Sequence, residues 1–93
     1  MTDLTIDRVA EVLEAMAHPM RVRILATLAG KHHMTLGTLE QQLEISFPVL
    51  SSHLAQLKDQ NILTSEYQGN EVCYSLADAS LQKVASLLRA KYC

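Results

Sequence analysis

Two thiols, four imidazoles and one run of small polar groups are the parts of this 93-residue chain equipped for chemistry. Cys73 and Cys93 can be oxidised or modified, and His18, His32, His33 and His53 can ligate metal or carry protons. Neither set has the company that catalysis needs. The His32-His33 pair has no carboxylate at ligand spacing nearby and reads as a solvated loop, so no metal site is expected. No nucleophile stands beside a base, and three glycines build no phosphate loop. The chain is therefore expected to have no catalytic residues and no cofactor.

The polar run, Ser46-Phe47-Pro48-Val49-Leu50-Ser51-Ser52-His53-Leu54-Ala55-Gln56-Leu57, suits a different chemistry. Leu50, Leu54 and Leu57 recur at helical spacing and make one buried stripe. The opposite face carries Phe47, Pro48, Ser51, Ser52 and Gln56, small or uncharged groups that can approach another surface closely. Ser46 is a good N-cap whose hydroxyl can accept from the first turn, and Pro48 is tolerated there. A short helix bearing Leu36, Leu39 and Leu43 precedes it, with Thr35 as its cap and only Ile45 and Ser46 as the link. Two helices so joined form a helix-turn-helix, whose second helix lies in the DNA major groove.

Other elements must hold that pair. A first helix is expected over about residues 6–17, capped by Thr5, with Ile6, Val9, Ala10, Leu13 and Met16 as its apolar face and Val12 at the margin. Pro19 opens a second helix, apolar almost all round, that Gly30 ends in a left-handed cap. The recognition helix runs from Phe47 to about Gln60, with Asn61 in the left-handed position beyond it. The period then falls to two. Leu63, Ser65 and Tyr67 alternate with polar neighbours, as do Val72, Tyr74 and Leu76, around a Gly69-Asn70 turn. Asp78 caps a last helix bearing Leu81, Val84, Ala85 and Leu88. The fold class is mainly α with a small β-hairpin, a winged helix-turn-helix in the order α-α-α-α-β-β-α. Residues 1–93 form a single domain for DNA binding and dimerisation.

Ile6, Val9, Leu13 and Met16 on the first helix and Leu81, Val84 and Leu88 on the last exceed what a small monomer buries, so a homodimer through these two helices is expected. Two cysteines are too few for a disulfide scaffold, the N-terminus lacks a signal segment, and no apolar run approaches the ~18 residues of a membrane span. A cytoplasmic protein without a membrane partner is expected. Ten acids against eight bases lower the non-specific attraction to double-stranded DNA without excluding specific binding.

The chain resembles the ArsR/SmtB family of winged-helix repressors over nearly its whole length. Three segments carry the likeness: Ala17 to Leu25 with its His18-Pro19, Ser46 to Leu57 with Ser51-x-His53-Leu54, and Glu71 to Leu76. The resemblance implies a homodimer that blocks a promoter until an inducer, here unknown, binds. It also places His53 at the DNA-facing edge, where the ring contacts a phosphate or packs on the neighbouring helix. Thr35 and Gly37 stand where arsenic-type members carry a Cys-x-Cys pair, and Ser80 and Lys91 where zinc-type members carry histidines. Asp78 alone cannot hold zinc. The tail Leu88 to Cys93 looks like the metal-free subgroup that responds to sulfide and persulfides, which makes Cys93 the candidate thiol sensor. Its partner position on the second helix is Ala26, so the pair is incomplete. Cys73 reads as a small packing residue, too far for the ~7 Å Cα separation of a disulfide.

Phe47, Pro48, Ser51, Ser52, His53 and Gln56 are thus the expected DNA contacts, joined by Gln68 and Asn70 on the wing. Two such helices in a dimer enter successive major grooves roughly 34 Å apart. Glu66 and Glu71 flank that wing where the resemblance leads one to expect basic residues, which keeps open a winged-helix protein-interaction module with little DNA affinity; a metal sensor with unrecognised ligands is a further alternative.

Overall fold

Local capping decides where most helices begin and end. The computed structural model describes residues 5–92. Thr5 stands in extended backbone before α1 (Ile6–Ala15), and its hydroxyl accepts from the Arg8 N–H at 3.1 Å. The helix stops two residues earlier than its apolar pattern suggests. Pro19 opens α2 (Pro19–Leu28), and beyond it Gly30 takes φ +74° while the Lys31 N–H returns to the Leu28 carbonyl. Thr35 caps α3 (Leu36–Leu43) through the Thr38 N–H, and Glu44 leaves that helix at φ +54°. Three residues, Glu44 to Ser46, then lead into α4 (Phe47–Asp59).

The end of α4 is a Schellman closure built on Asn61 at φ +59°. The Ile62 N–H donates to the Leu57 carbonyl and the Asn61 N–H to that of Lys58. Ile62 is thereby driven into the core. Gly69 at φ +66° turns β2 (Leu63–Gln68) into β3 (Glu71–Leu76), with Gln68 opposite Glu71. The Leu81 N–H donates to Asp78 Oδ1 at 3.0 Å and starts α5 (Ala79–Tyr92).

The hairpin is not alone. Met34–Thr35 forms β1, which pairs with β3 on the side away from β2, so the sheet has three strands in the order β1-β3-β2. A two-residue strand has no period to read, and its partner lies about forty positions away in the chain. This pairing places Cys73 between Thr35 and Glu66 and buries it. Tyr67, expected to alternate inward, is 77% exposed, because the hairpin extends past the helices.

The core is centred on α2. Ile24, Leu25 and Leu28 are sealed among Leu39, Leu50, Leu54, Leu57 and Ile62. On the far side the Gln82 side chain of α5 spans the loop after α2, accepting from the Gly30 N–H at 3.1 Å and donating to the Lys31 carbonyl at 3.2 Å.

The apolar face of α1 is distributed differently from its sequence pattern. Val12 and Ala15 are the buried pair, whereas Ile6 is 87% and Leu13 66% exposed. On α5 the expected interface residue Leu81 is a core side chain of this protomer, and Met16 and Leu88 pack partly against the same core. Leu87, next to that face, is 70% exposed. Helical spacing marks which residues share a face, and only packing shows which of two apolar faces is covered.

Candidate nucleic-acid interface

The stripe of Leu50, Leu54 and Leu57 turns the remaining surface of α4 outward. Phe47, Pro48, Ser52 and Gln56 are exposed there, and Ser51 and His53 are half-buried along the edges. Val49, not singled out from sequence, is as exposed as Phe47. Its neighbour Leu50 defines the buried direction, and that was the signal available. The N-cap differs from expectation. Ser46 has the extended cap backbone, but its hydroxyl accepts no cap hydrogen bond. Pro48 removes one of the two N–H groups such a hydroxyl takes. The first turn therefore keeps an unengaged hydroxyl beside the positive end of the helix dipole.

Two arginines from other elements hold α4. Arg8 of α1 donates to the Gln60 carbonyl at 2.8 Å and the Asn61 carbonyl at 2.9 Å, a cation placed on the negative end of the helix. Arg21 of α2 is 6% exposed. Its Nε donates to His53 Nδ1 at 3.1 Å, one terminal nitrogen to the Ala15 carbonyl at 3.2 Å, and the other to Gln56 Oε1. Among the described residues no carboxylate pairs with this guanidinium. A buried cation left without an acid is tolerated here because each of its three nitrogens donates a hydrogen bond. The His53 pKa is pushed below the ordinary value of 6.5, first by burial and then by the charges of Arg21 and His18. The His18 ring lies 6.1 Å from that of His53. Arg21 was missed because α2 reads as apolar all round. The one charged residue among its buried positions was the clue.

The wing brings Tyr67, Gln68 and Asn70 into solvent together with Glu66 and Glu71. No lysine or arginine lies between Ser46 and Leu57 or between Leu63 and Leu76. The surface thus offers hydroxyl, amide and methyl groups suited to base edges but few charges for phosphates.

The thiol and metal positions add no second site. Among the described residues, no three His, Cys, Asp or Glu side chains converge. Ser80, at the position of a zinc histidine in the resemblance, is buried with its hydroxyl unpartnered. Cys93 lies outside the described residues. No described helix is long and apolar enough to cross a membrane.

Residues 16–66 match the model of a helix-turn-helix domain family. A biofilm growth-associated repressor of Agrobacterium fabrum is 32% identical over 91% of this chain and 72% of its own length. The transcriptional repressor SmtB of Mycobacterium tuberculosis is 34% identical over 85% of this chain and 58% of its own. The solved structure of reduced HlyU from Vibrio cholerae superposes with a TM-score of 0.85 at 30% identity, over 94% of this chain and 90% of that one.

Proposed function

The chain belongs to the ArsR/SmtB family of winged-helix transcriptional regulators, and from that membership we propose that it is a homodimeric repressor reading a pseudo-palindromic operator. One observation carries the DNA contact. The outer face of α4 is built from Pro48, Ser52 and Gln56, small or neutral and exposed, at the head of a three-residue helix-turn-helix link. The expected contacts are those groups with Phe47, Ser51, His53 and, on the wing, Gln68 and Asn70. The dimer rests on Ile6, Leu13 and Leu87, which the described chain leaves mostly exposed, with the less exposed Val9, Val84 and Leu88 beside them. Selection from a random pool of duplexes tests the reading. Enriched sequences should carry two related half-sites centred about one helical turn apart. A pool with no enrichment would leave the protein-interaction module as the better reading.

The acidic wing supplies a graded version of the same test. Glu66→Lys with Glu71→Lys should tighten binding to the selected duplex. The plot of log affinity against log salt should steepen by about 0.9 for each phosphate newly met. An unchanged slope would place the wing away from DNA.

Thiol sensing at Cys93 belongs to the same proposal in a restricted form. Ala26 supplies no second thiol on α2, and Cys73 is buried between neighbouring strands. The response must then be a persulfide or glutathione adduct at Cys93, or a bond between subunits. A persulfide donor should weaken DNA binding by the wild type and leave Cys93→Ser unaffected. Equal loss in both proteins would remove Cys93 from the mechanism.

A further inference from the structure

Arg21 reaches the recognition helix from behind. It holds two side chains, His53 and Gln56, three positions apart on one face of α4, and anchors them to the end of α1 through the Ala15 carbonyl. All three are donated by one planar group, so helix α4 cannot roll or slide without breaking several bonds together. We propose that Arg21 is the positioning residue for DNA reading, and that the neutral His53 ring is the latch through which it sets the pose of α4. This rests on the DNA-binding reading above.

The latch has a defined protonation state. Nδ1 accepts from the Arg21 Nε–H, so the ring proton sits on Nε2, which is left to donate outward. Protonation puts a hydrogen on Nδ1. The acceptor is lost and an imidazolium then faces a guanidinium. The groups that act on the ring can be named element by element. Arg21 and His18 come from the start of α2, and both oppose protonation. Glu14 of α1 and Asp59 of α4 line the cleft of about 280 Å³ beside Arg21, with Ala15, Gln56 and Gln60. Strand β2 also packs on α4, and its charged and titratable residues Glu66 and Tyr67 are exposed on the hairpin. Neither carboxylate of the cleft reaches salt-bridge distance of Arg21, so no direct ion pair offsets the repulsion that protonation creates.

The sign of the pH effect separates the latch from the bland alternative. If His53 only touched a phosphate, acidification would add a cation and strengthen binding. With the latch, acidification frees α4 and weakens it. The stabilisation of the folded site follows the same direction. A histidine with a depressed pKa contributes fully above 6.5, and that contribution fades as pH falls through the folded-state value.

The experiment measures affinity for the selected duplex from pH ~7.5 to ~5.5, the range in which histidine titrates. Wild-type affinity should fall roughly tenfold across it, the loss expected when a charge-assisted hydrogen bond is broken. His53→Gln should lose that slope. Arg21→Met should bind weakly at every pH and show no slope from His53. If it fails to fold, Arg21→Lys keeps the charge but cannot hold both acceptors, and should weaken binding likewise. Nitrogen NMR of the free protein supplies the arm that needs no DNA. His53 should show a bare Nδ1 and titrate below 6.5, and in Arg21→Met, which removes the cation, it should move part of the way back toward 6.5. Wild-type affinity that rises on acidification, or full affinity in Arg21→Lys, overturns the proposal. A wild type that binds no duplex at any pH defeats the DNA reading, and the NMR titration still decides the latch.

Discussion

Ser52→Glu should abolish operator binding while leaving the fold intact. Ser52 is exposed on α4, opposite Leu50, Leu54 and Leu57, and makes no side-chain hydrogen bond among those of the described residues. In the proposed complex a carboxylate there enters the groove between two phosphate rails in each half-site. Loss of one base contact costs about 1–3 kcal/mol, and a symmetric dimer loses it twice, so affinity should drop by at least roughly thirtyfold. Unfolding stability should stay within about 0.5 kcal/mol of wild type, as for a surface change away from caps and core. Ser52→Ala, run alongside, should be mild. Titration by fluorescence anisotropy with a parallel urea melt reads both quantities. Unchanged affinity in Ser52→Glu would mean that this face of α4 does not meet DNA.

The second large effect is expected from Leu13→Glu combined with Leu87→Glu. Both leucines are mostly exposed in the protomer, so their replacement creates no cavity. In the proposed dimer they are covered, and a buried unpaired carboxylate is costly enough to prevent association. Sedimentation at micromolar concentration should show a dimer for wild type and a monomer for the variant. DNA affinity should then fall by about a hundredfold or more, because two half-sites are no longer bound by one linked pair of helices. The melting temperature should also cease to depend on concentration. Leu81→Glu is the contrasting case. That side chain is 3% exposed within one protomer, so its variant should unfold rather than simply dissociate. A wild type that sediments as a monomer would end the dimer proposal.

Elements whose cause lies within a few residues were legible in the chain. Thr5, Thr35 and Asp78 cap as their types and spacing indicate, Asn61 closes α4 in the left-handed region, and Gly69 turns the hairpin. In each, a side chain or a φ angle acts on backbone within about one turn, and a sequence displays that range directly. The Leu50, Leu54, Leu57 stripe belongs here too, and with it the outward face of α4. So does the incomplete thiol pair, since Ala26 is a matter of residue type alone.

What joins distant segments was decided by tertiary structure. Strand β1 exists only because Met34 and Thr35 find Tyr74 and Cys73. The face of α1 that enters the core is Val12 and Ala15, while the larger apolar set of Ile6 and Leu13 is left outside. Periodicity could not choose between them, because it reports that residues share a face and not what covers it. Arg21 is the sharpest case. Nothing within a turn of it in the chain accepts its protons: the Ala15 carbonyl lies six positions back on α1, and its other acceptors lie 32 and 35 positions away. A buried guanidinium is stable only where such acceptors converge. That convergence, and the protonation state it imposes on His53, is a property of the packed helices rather than of any segment of the sequence.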